Sequence, residues 1–505
     1  MRRQAGPGRM PQPDDVATIM DQACSAKAPA PSDPRPIAVD MDGSLLRTDT
    51  LHESLLILLR RRPLLLLLLP LWLLGGRAHF KRRIADHVLP DIAGLPVNEP
   101  FLAWLQERRA EGAILHLISA ADERIVRRAA ERFGIFDTAM GSDGVNNLSG
   151  ARKHAAIEAL LGPGALYAGD SRKDLPIWAE CRSAVLVGRT ARLRAALGPD
   201  VVVTASFDAP RAGFSVWRKA LRLHQWVKNA LIFVPLLLGG RVLEGLPLAL
   251  LGFLAFGLIA SATYLLNDML DLEHDRQHRS KRHRPLASGV LPLKEAMAAV
   301  ALLALLSVAI IAFMPPAFAV VAALYVLVTL TYSMVIKRML MLDVITLAGL
   351  FTIRIDAGIA VVGDPVSPWL LAFSMFFFLS LACVKRHAEC LVMAERGLGT
   401  VPGRAYRPVD APWLMAMGSG SGFAAMSTFF LFLVGNESPI LTYPNPQWMW
   451  LICVILGYWL CRIWALAARG EMHDDPVLFA VKDRLSLALA ALIAVLTLMA
   501  RNWGA

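Results

Sequence analysis

The stretch "NDMLDLEHDRQHRSKRHRPLASG", residues 267–289, lies between two long apolar runs and is densely charged. Counting from Asn267, the positions of Asp268, Asp271 and Asp275 place the three carboxylates along one face of a continuing helix. Three adjacent carboxylates repel one another unless a cation joins them. Oxygen ligands on one face suit Mg²⁺, which commonly bridges carboxylates to substrate phosphates. The stretch therefore predicts a Mg²⁺ and phosphate site at the end of an apolar helix.

The same stretch continues with basic side chains. Arg276, Lys281, Arg282 and Arg284 are predicted to hold the phosphate oxygens that the metal leaves free, and Asn267 is predicted to contact the same substrate. The alternative is a solvated helix end with snorkelling side chains.

Composition places the stretch in a membrane protein. The chain has 505 residues, is 55% apolar, and carries 52 Lys and Arg against 41 Asp and Glu. Its six cysteines include no CxxC pair, so neither a disulfide framework nor a zinc site is predicted. Much of the +11 net charge falls in loops beside apolar runs, and no nucleic-acid partner is therefore predicted.

The chain is predicted to have several domains. Residues 1–35 have the composition of a disordered tail without a signal peptide. Residues 36–207 alternate short apolar runs with charged helical stretches, which predicts an α/β domain with a parallel sheet. The predicted strands are the apolar runs 37–39, 113–118, 166–168 and 184–187. Within it, residues 51–110 are predicted to form a helical cap. Residues 208–225 are predicted to be a linker, and residues 226–505 an all-α polytopic membrane bundle.

Apolar runs set the number of spans, because about 20 residues cross the bilayer core. We predict nine spans, the first of them short: 228–240, 246–266, 294–313, 317–335, 343–362, 368–384, 414–434, 447–467 and 485–503. The connections after the even-numbered spans carry most of the basic side chains, namely Lys281, Arg282, Arg284, Lys337, Arg338, Lys385, Arg386, Arg404, Lys482 and Arg484, whereas the opposite loops offer little beyond Arg241. The positive-inside rule then predicts an inner (plasma) membrane protein whose N-terminal domain and sites are cytoplasmic.

The segment "PLLLLLLPLWLL", residues 63–74, is apolar but has only twelve residues. It is too short to span a bilayer. Basic clusters flank it at Arg60–Arg62 and Arg77–Arg83, so it is expected to rest on the membrane surface. Burial in the core of the cap is the alternative.

The charged stretch at 267–289 resembles the first aspartate-rich motif of the UbiA superfamily of intramembrane prenyltransferases. This family has a nine-helix bundle that binds a diphosphate through Mg²⁺ at its cytoplasmic mouth. The resemblance covers about residues 215–505. Several further stretches are similar to the decaprenyl-phosphate phosphoribosyltransferase branch: "RLHQWVKNALIF" (222–233), "YSMVIKRMLMLD" (332–343), "FTIRIDAG" (351–358), "VKRHAE" (384–389) and "DDPVLFAVKD" (474–483).

That branch implies transfer of ribose 5-phosphate from phosphoribosyl diphosphate to a polyprenyl phosphate. One alternative is transfer of a prenyl chain from prenyl diphosphate to an aromatic or other small acceptor. A second alternative is a membrane scaffold or transporter without chemistry, since intramembrane charge also occurs in transporters.

Aromatic prenyltransferases usually carry a second acidic cluster of the DxxxD type. This chain departs from that pattern, because at the corresponding place it has Asp343 with Lys337 and Arg338 upstream. A basic second site suits an anionic sugar phosphate or lipid phosphate. Asp343 is expected to complete the metal or diphosphate site, or to cap a helix. Lys228 is a candidate phosphate ligand or an interfacial anchor. Arg354 lies in an apolar span with Asp356, and the two are expected to pair with each other or with substrate.

Acidic residues also follow two predicted strands of the N-terminal domain. The first strand leads into "DMDG", with Asp40 and Asp42, and another leads into "GDSRKD", with Asp170 and Asp174. Because the carboxyl ends of parallel strands meet at one edge of a sheet, these carboxylates are predicted to converge.

With Ser119 at the end of "ILHLIS" and Lys153 in "NLSGARK", these motifs resemble those of haloacid dehalogenase (HAD) phosphatases over about residues 36–206. The resemblance implies that Asp40 is the nucleophile and Asp42 the general acid/base. Ser119 and Lys153 would hold the phosphoryl group. Asp170 and Asp174, together with Asp40 and Asp42, would place Mg²⁺. The alternative is a retained fold without activity. The fusion suggests that this domain removes the 5-phosphate of the transferase product.

Overall fold

The computed structural model describes residues 36–162, 165–239, 242–278, 281–363, 367–397, 399, 401, 404–434, 443, 445, 447–472 and 475–502. The predicted tail at 1–35 lies outside these residues, as does Arg241. The chain divides into two units, which we call unit 1 (Met1–Pro210) and unit 2 (Arg211–Ala505).

Unit 1 is built on a six-stranded, fully parallel sheet with the order β3-β2-β1-β4-β5-β6. The strands are β1 Ile37–Val39, β2 Leu115–Asp122, β3 Thr138–Ser142, β4 Leu166–Gly169, β5 Ser183–Gly188 and β6 Val202–Asp208. The strands β1, β2, β4 and β5 are almost entirely buried, as expected for a parallel sheet covered on both faces. These four strands were predicted from their apolar runs, and the parallel sheet is confirmed.

The sequence did not predict β3 and β6. The edge strand β6 alternates exposed and half-buried residues, and its period of two is visible in "VVTASFD". The partly buried β3 contains Gly141 and is short of apolar residues. Neither has the continuous apolar run that marked the central strands.

The helices of unit 1 include several between β1 and β2, over the residues 51–110 that are predicted to form a cap. Their bounds are Thr50–Arg61, Pro63–Leu68 (a 3₁₀ helix), Leu69–Leu74, Arg77–His87, Ile92–Gly94 (3₁₀), Glu99–Ala110, Glu123–Phe133, Ala151–Leu161, Arg172–Asp174 (3₁₀), Leu175–Cys181 and Thr190–Arg194. Most leucines of 63–74 are exposed, so this segment is not the buried core of the cap.

The order of the strands determines where the site of unit 1 lies. Strand β1 pairs with β2 on one side and with β4 on the other, in register from Ile37 to Val39. The chain therefore reverses its direction of winding next to β1. Residues that follow β1 and β4 lie at this switch point, which is the usual ligand position in open parallel sheets.

Unit 2 is helical. Eight of its described helices are long and apolar enough to cross a membrane. Their bounds are Val242–Leu270, Leu293–Ile311, Pro316–Met334, Leu342–Val362, Pro368–Glu395, Ala411–Val434, Gln447–Ala468 and Arg484–Asn502. Shorter helices are Phe214–Ala220, Leu223–Phe233 (3₁₀), Val234–Gly239, Leu272–Gln277, Lys281–His283 (3₁₀), Ile336–Arg338 (3₁₀), Pro408–Asp410 (3₁₀) and Pro476–Lys482.

The first of the nine predicted spans is wrong, whereas the other eight match these long helices. Residues 228–239 do not form one continuous helix, because the 3₁₀ helix Leu223–Phe233 ends where the short α-helix Val234–Gly239 begins. Lys228 and Asn229 are buried and bound to charged partners. These polar contacts, together with a helix of only six residues after them, explain why the segment is not a regular span.

The predicted loop position of Lys385 and Arg386 is also wrong. The helix Pro368–Glu395 continues through both residues, and Arg386 is fully buried. Its charge is compensated by a buried carboxylate rather than by water, which allows the helix to run further than hydropathy indicates.

Candidate active sites

Three carboxylates of unit 1 meet at the switch point of the sheet. Asp40 follows β1, Asp170 follows β4, and Asp174 ends a short 3₁₀ helix after β4. One oxygen from each lies within 4.8 Å of the others. Lys153 donates to Asp40 Oδ1 at 2.7 Å. The structure thus brings together three of the four aspartates that were predicted to converge, and Asp42 is not part of this group among the described residues. Carboxylate oxygens at this spacing suit Mg²⁺.

The acid cluster of unit 1 changes the pKa values of its members. Burial raises the pKa of Asp40, and Lys153 opposes this shift. Burial, together with the charges of Asp40 and Asp174, raises the pKa of Asp170 to about 8. Carboxylates that resist ionisation side by side become fully charged when a divalent cation joins them, so the cluster fits a metal site.

A glycine permits this close approach. Gly43 has φ +80°, and a Cβ at this position would collide with the Asp170 carboxylate. The positive φ favours glycine, and the missing side chain leaves room for the acidic cluster.

Asp42 points to a different partner. Its carboxylate accepts hydrogen bonds from the backbone N–H of Thr50 at 3.1 Å and from the Thr50 hydroxyl at 3.0 Å. Burial and the charges of Asp49 and Asp40 raise the pKa of Asp42 well above its usual range. A carboxylic acid held in its protonated form can serve as a general acid.

Ser119 and Lys81 complete the edge of the sheet. Ser119 is buried in β2, the neighbour of β1, and its Oγ accepts from the Ala121 N–H at 3.3 Å. Lys81 belongs to the cap and donates to Ala120 O at 2.6 Å and to Asn147 Oδ1 at 2.8 Å. The sequence alone did not single out Lys81, because it is one of several basic residues at 77–83 and nothing nearby in the sequence marks these two contacts.

Unit 2 contains a cavity of about 370 Å³ whose charged lining is mostly basic. Nine Lys and Arg side chains but only three Asp side chains line it among the described residues, and Asn267 lines it as well. The nine are Arg222, Lys228, Lys281, Arg284, Lys337, Arg338, Arg354, Lys385 and Arg404. A cavity with this charge selects an anionic ligand, and several phosphates would be needed to balance it.

The three aspartates of the first motif are each paired with a cation. Arg284 donates to Asp268 at 2.9 Å and to Asp275 at 2.6 Å, and Lys337 donates to Asp271 at 2.9 Å. Asp268 also accepts from Arg222 at 2.7 Å. Within the described part of the chain, these carboxylates are not gathered within 4.8 Å as those of unit 1 are.

Two predicted cations of the first motif lie apart from the cavity. Arg276 donates to the carbonyl oxygen of Ala287, and the exposed Arg282 contacts His283. Neither side chain lines the cavity, whereas Lys281 does. The structure therefore brings only part of the predicted basic set together.

Asp343 is fully buried and saturated by donors. It accepts from Arg386 Nε at 2.5 Å, from Arg404 Nη1 at 2.7 Å and from the Tyr332 hydroxyl at 2.7 Å. Through these bonds, the Asp343 carboxylate positions two side chains that line the cavity, Arg404 and Tyr332. Arg386 and Arg404 were not predicted to pair with Asp343 because they are distant in sequence.

A second carboxylate joins two lysines at the cavity. Lys228 and Lys385 both donate to Asp475 Oδ2 at 3.0 Å, and all three residues line the cavity. Although burial opposes ionisation of Asp475, the two lysines hold its pKa well below the usual range. Each ammonium keeps further N–H groups for another acceptor. We call this group the lysine pair.

Arg354 lies deeper in the same cavity. It donates to Asn229 Oδ1 at 2.9 Å, to the Tyr325 hydroxyl at 2.9 Å and to the carbonyl oxygen of Leu350. Its donors are thus engaged without Asp356, and the predicted pairing of these two residues is not found. The polar partners compensate a charge that an apolar span otherwise disfavours.

Comparison with known proteins agrees with this architecture. The model of the UbiA prenyltransferase family matches residues 230–492. The chain is 38% identical to the uncharacterized protein y4nM of Sinorhizobium fredii, over 92% of this chain and 91% of that protein. It is 36% identical to the nodulation protein NoeC of Azorhizobium caulinodans, over 55% of this chain and 91% of that protein. It is 30% identical to the decaprenyl-phosphate phosphoribosyltransferase of Mycolicibacterium smegmatis, over 53% of this chain and 86% of that protein.

These matches define a multi-pass membrane protein with the architecture of an intramembrane transferase. The chain belongs to the UbiA prenyltransferase family. The match to y4nM is long enough to extend beyond unit 2 into unit 1.

Proposed function

We propose that unit 2 transfers 5-phosphoribosyl from phosphoribosyl diphosphate to a polyprenyl phosphate, and that unit 1 is a HAD-like phosphatase that removes the 5-phosphate of the product. The observation that carries the first step is the cavity with nine Lys and Arg side chains. Two substrates that together carry several phosphates match this charge better than one prenyl diphosphate and an aromatic acceptor. Similarity to a decaprenyl-phosphate phosphoribosyltransferase supports the same choice.

In unit 2, an oxygen of the lipid phosphate attacks C1 of the ribose while the bond from C1 to the diphosphate breaks. The electron pair leaves with the diphosphate, whose charge Arg284, Lys337 and Lys281 neutralise. No protein base is required because the attacking oxygen is already anionic. The lysine pair holds the lipid phosphate in this assignment.

Mg²⁺ would be held in unit 2 by Asp268, Asp271 and Asp275, and it would neutralise the leaving diphosphate. The residues fit this metal only when Arg222, Arg284 and Lys337 release the carboxylates to which they donate. Diphosphate oxygens are acceptors for the same cations, so substrate and metal are expected to bind together.

In unit 1, Asp40 attacks the phosphorus of the 5-phosphate, and the bond from phosphorus to the ribose oxygen breaks. Asp42 gives its proton to the leaving oxygen, and later accepts one from the water that hydrolyses the aspartyl phosphate. Ser119 and Lys153 hold the phosphoryl oxygens. The cluster of Asp40, Asp170 and Asp174 would hold Mg²⁺, with Asp42 beside it, which offsets the charge of the phosphate.

Both reactions are proposed to take place on the cytoplasmic side of the inner (plasma) membrane. The support is the excess of Lys and Arg in the connections near Lys281, Lys337 and Arg484. Phosphoribosyl diphosphate is a soluble anion, and this side also receives the lipid phosphate headgroup.

The test uses the purified full chain in lipid nanodiscs with Mg²⁺. One sample contains ribose-labelled phosphoribosyl diphosphate and a polyprenyl phosphate, and a parallel sample contains a prenyl diphosphate and an aromatic acid. Mass spectrometry of the lipid fraction is expected to show a ribosylated polyprenyl phosphate without its 5-phosphate. A prenylated aromatic acid and no sugar lipid would contradict the assignment. A sugar lipid that keeps its 5-phosphate would contradict the role of unit 1 alone.

A further inference from the structure

An apolar surface on the cap of unit 1 has no part in either proposed reaction. Residues 63–74 form a 3₁₀ helix, Pro63–Leu68, followed directly by the short α-helix Leu69–Leu74. Leu64, Leu67, Leu71 and Leu74 are 79%, 79%, 63% and 85% exposed. Their spacing of three or four residues places them on one side of the segment. We call this side the leucine strip.

The opposite side of the segment is anchored to the cap. Trp72 is buried and stacks on His87 with 5.4 Å between the ring centroids, and the Arg83 guanidinium lies 5.8 Å from the Trp72 ring. Trp72 also packs in a hydrophobic cluster with Leu58 and Ile84. The anchored tryptophan fixes the orientation of the segment, and the leucines cannot turn inward without removing Trp72 from its cluster.

Positive charge borders the leucine strip at both ends. Arg62 precedes it, Arg77 follows it, and both side chains are exposed. Arg83, on the next helix, is exposed as well. Exposed leucines between arginines are typical of segments that lie in the headgroup region of an anionic bilayer. Twelve residues are too few to cross that bilayer.

We propose that the leucine strip docks on an anionic lipid surface, with Leu64, Leu67, Leu71 and Leu74 inserted among the acyl chains and Arg62 and Arg77 bound to lipid phosphates. A membrane is always available to this surface because the same chain is a multi-pass membrane protein, so that a modest intrinsic affinity suffices. Docking also suits a substrate carried on a lipid, and this consequence alone rests on the proposed function.

The experiment places an environment-sensitive fluorescent amino acid at position 71 of the full chain by codon suppression. The control carries the same label at position 202, where Val202 is 67% exposed on the edge strand β6 of unit 1. Both proteins are reconstituted in nanodiscs of phosphatidylglycerol or of phosphatidylcholine, with and without brominated acyl chains. The readout is the fluorescence of the label and does not depend on either enzymatic activity.

The label at position 71 is expected to shift to shorter wavelength and to lose most of its emission to brominated lipid in phosphatidylglycerol. It should be quenched less in phosphatidylcholine, and the label at position 202 should be quenched in neither. The variant with Arg62→Gln and Arg77→Gln should lower the quenching in phosphatidylglycerol to the level seen in phosphatidylcholine.

Three results would overturn the proposal. A shift without quenching would mean that protein, either a second copy or another part of this chain, covers the strip. The absence of both would mean that the strip faces water. Equal quenching in the two lipids, unaffected by the arginine substitutions, would mean apolar docking without selection for anionic lipid.

Discussion

The two units use aspartate in opposite ways. In unit 1, Asp40, Asp170 and Asp174 lie within 4.8 Å of one another, and Lys153 is the cation bound to this group. In unit 2, Lys or Arg donates to each of five aspartates, and Arg284 joins two of them, Asp268 and Asp275. The five are Asp268, Asp271, Asp275, Asp343 and Asp475. The first arrangement leaves negative charge uncompensated, whereas the second compensates it fully and leaves cations in excess.

This difference shows that aspartates of one chain can either gather around a common point or each pair with a cation, depending on the residues around them. In unit 1 a divalent cation held by Asp40, Asp170 and Asp174 would relieve repulsion that exists without any substrate. In unit 2 a metal would compete with guanidinium and ammonium groups for the same carboxylates, and our proposal therefore has an anionic substrate bind with it. In the structure, the carboxylates of unit 2 therefore position the cations that line the cavity.

The largest effect is expected when one of the three clustered carboxylates of unit 1 is replaced. Asp40→Asn should lower the phosphatase activity that we propose for unit 1 by about 10⁴-fold or more, because amide nitrogen and oxygen are poor nucleophiles. Transfer of phosphoribosyl by unit 2 should continue at the same rate. The measurement is the ratio of phosphorylated to dephosphorylated sugar lipid by mass spectrometry, and the phosphorylated form should accumulate.

Asp143→Asn is the matched control for this variant. Asp143 lies in the same unit, is exposed, and accepts from backbone N–H groups, which an amide oxygen can also do. It should leave the product ratio unchanged. Continued dephosphorylation by Asp40→Asn would show that Asp40 is not the nucleophile of unit 1.

The next largest effect is expected when the most buried ion pair of unit 2, Arg386 with Asp343, is broken. Arg386→Leu leaves the Asp343 carboxylate without its main partner in a buried position, and should lower the free energy of unfolding by about 3–5 kcal/mol. A thermal melt of the protein in detergent measures the fall in Tm. Arg404 binds the same carboxylate but is more exposed, so Arg404→Gln should destabilise less. Equal shifts for the two variants would argue against Arg386 as the dominant partner.

A smaller effect tests the lysine pair. Lys385→Met removes a charged hydrogen-bond donor from the site that we propose for the lipid phosphate. The KM for polyprenyl phosphate should therefore rise about ten- to a hundredfold. The KM for phosphoribosyl diphosphate should change little. The exposed Lys219, replaced in Lys219→Met, controls for loss of a lysine elsewhere in unit 2. If the KM for phosphoribosyl diphosphate rose instead, the pair would belong to the donor site.

The parts of the fold that the sequence could predict are those with local signals. Four central strands are continuous apolar runs, and eight helices are long and apolar enough to cross a bilayer. Asp40 and Asp170 were predicted to meet because their strands end at the same edge of a parallel sheet. Each of these inferences needs only a short window of sequence and a rule of geometry.

Pairings between distant residues could not be predicted in this way. Lys228 and Asp475 are 247 positions apart, and no local pattern joins them. Arg386 was placed in a loop because its charge ends the apolar run, although the distant Asp343 allows it to be buried. The first predicted span failed for the same reason, since partners elsewhere in unit 2 hold Lys228 and Asn229.

The smallest effect separates two neighbouring cations that the sequence could not distinguish. Lys281 and Arg282 both belong to the 3₁₀ helix Lys281–His283, but only Lys281 lines the cavity. Lys281→Gln should raise the KM for phosphoribosyl diphosphate about fivefold or more, as expected for the loss of one charged contact to a phosphate. Arg282→Gln should change it by less than about twofold, as is usual for surface positions.

Initial rates at varied phosphoribosyl diphosphate measure this difference, and both proteins should retain the wild-type Tm. The two substitutions remove the same unit of charge from the same turn of helix, so a general loss of positive potential would affect them alike. A difference between them therefore reports direct contact inside the cavity. Equal increases in KM would mean that the basic stretch acts through its overall field, and the separation of Arg282 from the cavity would then have no functional meaning.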